Sequence, residues 1–134
     1  MALPAEIVIE KIDQAPYNEG VSGAAWLASE GNISIAFDNG DVALFENEGE
    51  HTYQVHFLFE SRGRKAIENA RQSFKTMFVQ HQAELIFGLV PDHRRDVKLL
   101  SRWIGGKFAG KRSTPQGVCE LYVLSNTMYF KGAI

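Results

Sequence analysis

Residues 60–66 read Glu-Ser-Arg-Gly-Arg-Lys-Ala, and Arg62, Gly63, Arg64, Lys65 and Ala66 are side-chain types suited to holding a phosphate. Glycine lets the backbone approach an anion closely, and three cations crowd around it. A helix beginning here presents amides with no intrahelical acceptor and a partial positive charge behind them. Such a corner suits a diphosphate. The competing reading is solvated surface charge, because a short glycine motif is a weak signal by itself. Just upstream, His56 and Glu60 fall on the same, more polar side of an alternating run. Either can take a proton from an attacking ammonium, directly or through water, and histidine titrates in the right range. The bland alternative is an imidazole satisfied by hydrogen bonds and a carboxylate that shapes the turn.

Other candidates carry less. His93, Arg94, Arg95, Lys98 and Arg102 concentrate positive charge on one helix, where they could grip ligand phosphates or an acidic partner, or simply be solvated. Without an aromatic partner pattern, a nucleic-acid partner is not expected. His51, His56, His81 and His93 show no metal-type spacing, so no metal site is expected. Cys119 reads as a buried small hydrophobe.

The elements that must position this corner are legible from periodicity. Tyr53, Val55, Phe57 and Phe59 alternate with polar neighbours, predicting a strand over 52–60. Ala66, Ile67, Ala70, Phe74, Met77, Phe78 and His81 recur at helical spacing, predicting a helix over 64–81. Residues 84–90 are nearly all apolar and read as an interior strand. The strand–helix–strand connection favours a parallel pair. Before this unit, the β-branched run 5–12 predicts a first strand, and 21–29 a short helix. Runs 32–38 and 41–46 flank Asn39-Gly40, predicting a two-residue hairpin with Phe37 opposite Val42 and Ile35 opposite Leu44. In that register Ile33, Ile35, Phe37, Val42 and Leu44 share one face. After the unit, Asp92 predicts the N-cap of a second helix that ends at Gly105-Gly106. Residues 108–112 and 118–124 predict a final hairpin. The expected fold class is α/β (α+β): a mixed, mainly antiparallel sheet with a central parallel pair and helices on both faces.

The chain has 134 residues, 45% apolar and 22% charged, which fits one domain over 1–134 with a single core. No apolar run approaches a membrane span, the first residues do not resemble a signal peptide, and one cysteine excludes an internal disulfide. No membrane partner is expected. The net charge of −2 hides a split. Residues 1–61 hold eleven acidic side chains and one basic, whereas 62–134 hold five acidic and thirteen basic, giving −10 and +8. Either these halves form faces for different partners, or they interleave and neutralise each other.

This order of elements, with Arg62-Gly63-Arg64-Lys65-Ala66 opening the central helix, resembles the GNAT acyl-CoA N-acyltransferase superfamily over roughly residues 32–124. The Gly105-Gly106-Lys107-Phe108 closure looks most like the small GNAT-like proteins of tailed phages. The resemblance implies strands that splay beside the central helix, acetyl-CoA as cofactor with its diphosphate on residues 62–66, and transfer of an acetyl group to a small-molecule or protein amine. It also implies an alternative: a catalytically silent phage structural or head-assembly protein, able to form homo-oligomers or bind virion proteins. The expected location is the cytoplasm, of a host cell if phage-encoded, or the virion. The pattern departs from the family in three places. Glu60 and Lys65 stand at the first and last positions of the loop motif, and Ser101 or Arg102 stands where a Tyr is common. Asp92-His93-Arg94-Arg95 replaces a frequent Asn.

Overall fold

A computed structural model describes residues 5–15, 20–115 and 117–132. Six strands form one sheet in the order β1-β2-β3-β4-β6-β5. They are β1 (Ile33–Ala36), β2 (Val42–Asn47), β3 (Thr52–Leu58), β4 (Leu85–Pro91), β5 (Lys107–Thr114) and β6 (Gly117–Ser125). All neighbours run antiparallel except β3 and β4 at the centre. Among the described residues the helices are α1 (Ala5–Asp13), α2 (Gly23–Ala28), α3 (Gly63–Gln80), α4 (Arg95–Trp103) and α5 (Asn126–Gly132). Among the described residues, no helix is long and apolar enough to cross a membrane.

The sheet divides two cores. On one face Phe45, Tyr53, Ile86 and Leu124 pack with Phe74, Met77 and Phe78 of α3. On the other, Val42 and Leu44 pack with Val8, Ile12 and Trp26 from the two N-terminal helices. Strand β2 is therefore buried on both sides, although it belongs to an antiparallel hairpin.

Residues 5–12, expected as a strand, are helical: Val8 and Ile12 stand one turn apart and both are buried against β2. Packing of that stripe overrides the β preference of its branched residues. The hairpin register is also displaced by one residue, with Ala36 opposite Val42, Ile35 opposite Ala43 and Ile33 opposite Phe45. Ile33 and Ile35 consequently face the α3 core, while Val42 and Leu44 turn to the opposite side. Asn39-Gly40 lies inside a longer connection, residues 37–41, closed by Phe37 N–H to Asp41 O at 2.9 Å and Gly40 N–H to Phe37 O at 3.1 Å. The longer turn frees Asp41 to enter the interior.

Helix α4 starts later than expected: Arg94 stands at the N-cap with its guanidinium on Asp96 rather than capping the helix amides, and Asp92 instead pairs with Lys98 at 3.0 Å. The short helix α2 is capped by Ser22, whose Oγ accepts from the Ala25 amide. Gly23 begins α2 against α1, where a Cβ would lie 2.4 Å from the Ile9 carbonyl oxygen. Gly23→Ala should therefore cost about 1–3 kcal/mol through overpacking, read as a lower melting temperature.

Candidate functional site

The corner between β3 and α3 is organised by a residue that periodicity did not single out. Asp41 is fully buried, and its carboxylate accepts hydrogen bonds from five donors. They are the Glu60 N–H (2.7 Å), the Ser61 N–H (3.0 Å), Ser61 Oγ, Asn69 Nδ2 (2.9 Å) and Asn39 Nδ2 (3.2 Å). Asn69 Nδ2 also reaches Asn39 Oδ1, so loop, corner and helix share one polar knot. Burial by itself pushes the Asp41 carboxyl up. The bonds from Ser61, Asn69 and Asn39 outweigh it and hold the pKa at about 2, against an ordinary 3.8.

With residues 60 and 61 tied inward, the chain turns outward at Arg62. Arg62 occupies the N-cap of α3 in an extended conformation, and its Nη1 donates to the carbonyls of Phe59 and Ser61. Gly63 follows at φ +64°, a left-handed geometry that favours glycine, and a Cβ there would meet nothing within 4 Å. Arg62, Gly63, Arg64 and Lys65 are exposed, whereas Ala66 is buried and anchors the first turn. Among the described residues, the N–H groups of Gly63, Arg64 and Lys65 have no protein acceptor. The corner is an open set of donors flanked by two cationic side chains.

The two central strands part next to this corner. They pair only through Thr52–Leu85, Tyr53–Ile86 and Gln54–Phe87. Beyond those, β3 stays with β2 to Leu58 and β4 stays with β6 to Pro91. Between them lies a narrow cavity of about 30 Å³, bordered by Val55, Phe57, Gly88, Ser101, Ile104 and Tyr122. Gly88 matters at the fork, because a Cβ would sit 3.3 Å from Val55 Cγ1. Tyr122, from β6, is the phenol beside the gap, a position that sequence spacing alone does not connect to α4. Its OH donates to Glu120 at 2.6 Å, and Glu120 pairs with Lys98 of α4 at 2.9 Å. Burial, then the Glu120 contact, raises the Tyr122 pKa, so the phenol keeps its proton at neutral pH. Ser101 is buried and donates to the Val97 carbonyl, while Arg102 is exposed.

His56 and Glu60 are not linked by a hydrogen bond among the described residues. His56 stands opposite Leu44 on the face covered by α1 and α2. Burial lowers its pKa, partly countered by the Glu46 carboxylate, so the imidazole is neutral at pH 7. Glu60 is exposed and ion-paired with Lys11 of α1 at 2.9 Å, which offsets the repulsion a carboxylate would exert on a nearby anion.

No family model matches the sequence, and no curated protein matches it. Solved structures share its fold, which is that of the GNAT acetyltransferases. The aminoglycoside acetyltransferase AAC(6')-Ib in complex with coenzyme A is 14% identical, covers 100% of this chain and 98% of its own, and superposes with a TM-score of 0.71. A GNAT-family acetyltransferase from Bacillus anthracis is 19% identical, with 92% and 89% covered and a TM-score of 0.65. The ribosomal-protein-S5-alanine acetyltransferase from Vibrio fischeri is 11% identical at a TM-score of 0.57. There the match covers 64% of this chain and spans 54% of the other.

Because the folded pKa of Asp41 is depressed, its contribution is complete above about pH 4 and is lost as pH falls toward 2. Wild-type protein should lose about 2 kcal/mol over that window, and Asp41→Asn should remove this part of the pH dependence in urea denaturation.

Proposed function

We propose that this protein is an acetyl-CoA-dependent N-acetyltransferase that acts on an amine. One observation carries the reading: the unfilled amides of Gly63, Arg64 and Lys65 stand beside a central strand pair that opens just past Gln54. Acetyl-CoA supplies an activated acetyl thioester. The residues present fit it: Gly63 offers space where a side chain would intrude, and Arg64 and Lys65 add charge around three donors. Arg62 braces the corner, and Ala66 seats the helix. His56, neutral at pH 7, takes the proton released by the amine, and Glu60 shapes the turn through Lys11. The coenzyme A bound to AAC(6')-Ib supports the cofactor, and the alanine and aminoglycoside acceptors named for the neighbours support an amine substrate.

A second reading is a catalytically silent GNAT-fold protein that serves in an assembly such as a phage particle. It is favoured by the lodging of opposite charge at opposite edges of the sheet, described below. A monomer that turns over acetyl-CoA would reject it.

Acetyl-CoA at 100 times its Kd should stabilise the protein by about 2.7 kcal/mol, visible as a rise in melting temperature. Gly63→Glu should abolish the rise by blocking the amides and adding repulsion. An unchanged wild-type melting temperature at saturating acetyl-CoA would contradict the proposal. His56→Gln should lower kcat on the order of 100-fold while leaving acetyl-CoA binding intact. Wild-type kcat should rise with pH through a midpoint below 6.5, as His56 loses its proton.

A further inference from the structure

The charge split in the sequence survives folding as a separation in space. Strands β1 and β5 are the two edges of the sheet. Residues 20–50, which form α2, β1 and β2, contain Glu30, Asp38, Asp41, Glu46, Glu48 and Glu50 and no Lys or Arg. Residues 92–132, which form α4, β5, β6 and α5, carry eight Lys or Arg against Asp92, Asp96 and Glu120. Those three carboxylates are already paired with cations of their own end: Asp92 and Glu120 with Lys98, and Asp96 with Arg94. The halves meet at the centre, where α3 packs across β2 and β3 pairs with β4, but their outer segments lie at opposite edges of the sheet. The molecule has an acidic end and a basic end.

Each end also carries apolar surface. At the basic end Leu99 and Trp103, one turn apart on α4, are 49% and 55% exposed, and Phe108 on β5 is 52% exposed. At the acidic end a groove of about 510 Å³ runs between α2 and β2, bordered by Val21, Ala25, Trp26, Glu30, Glu46 and Asn47. A large exposed aromatic on a basic end is a usual anchor of an interface, and a groove that sets Val21 and Ala25 beside the carboxylates of Glu30 and Glu46 is its complement. Docking like ends would oppose charges of one sign, which disfavours a two-fold dimer through either end.

We propose that a second copy of this chain occupies this groove: the α4–β5 end of one molecule, with Trp103 at its centre, docks on the acidic α2–β2 end of the next. The contact is head to tail, so it propagates into a chain or closes as a ring. Its contact surfaces, Leu99, Trp103 and Phe108 on one molecule and the α2–β2 groove on the other, are separate from residues 62–66 and from the lining of the gap between β3 and β4.

Sedimentation velocity on the full chain tests this. At low salt the mass should climb with concentration past the dimer, and at about 0.5 M NaCl it should fall toward the monomer as screening shortens the reach of the charges. Trp103→Ala should abolish association while circular dichroism and the acetyl-CoA response stay as in the wild type. Lys107→Glu/Lys111→Glu and Glu30→Lys/Glu48→Lys should each be monomeric alone, and mixing the two should restore association. A monomer at every concentration in low salt would overturn the proposal. So would a salt-insensitive dimer that stops growing, or association that survives these substitutions.

Discussion

The Asp41 carboxylate is the point on which the candidate site hangs. It is an ionised group with no solvent exposure, kept in place by five donors from the β1–β2 loop, the β3–α3 corner and the middle of α3. A charge buried without such partners would be costly. Satisfied in this way, it fixes the relative position of three segments distant in sequence. Its bonds to the Glu60 and Ser61 amides turn those two donors inward just before the helix. The next donors then point to solvent, where an anion can meet them. The longer turn that carries Asp41 inward goes together with the one-residue shift of the hairpin register.

From this corner outward, the sheet converts a local arrangement into a reaction space. Phe57 and Phe74, stacked at 6.0 Å between ring centroids, hold β3 against α3 on one side of the fork. On the other side, the Tyr122–Glu120–Lys98 chain ties β6 to α4. Both borders of the gap are therefore braced by side chains while the strands between them stay apart. A neutral His56 on the opposite face and a protonated Tyr122 at the border give the region groups that differ in protonation at pH 7.

Much of this architecture is written in periodicity. The alternation at Tyr53, Val55 and Phe57 and the helical spacing of Ala70, Phe74, Met77 and Phe78 fix β3, α3 and the side each buries. The apolar run ending at Pro91 likewise gives the parallel partner. Where reading fails, tertiary contacts decide. Val8 and Ile12 are β-branched, and only the surface of β2 makes them a helical stripe. Asn39-Gly40 signals a tight turn, but nothing nearby in sequence reveals that Asp41 has partners at 60, 61 and 69. Buried Asn69 and Ser73 on the inward side of α3 were the available hint, since polar residues on a core stripe need partners. Tyr122 escaped for a similar reason: its place beside α4 depends on β6 lying between β4 and β5.

The central claim is that the Gly63, Arg64 and Lys65 amides, held outward by Asp41, receive a diphosphate. Titration of the isotope-labelled protein with coenzyme A, followed through its backbone amide resonances, tests this most directly. The three resonances should move together and saturate at one Kd, with smaller changes along β3 and β4. Saturable binding that leaves those three amides unmoved would contradict the account.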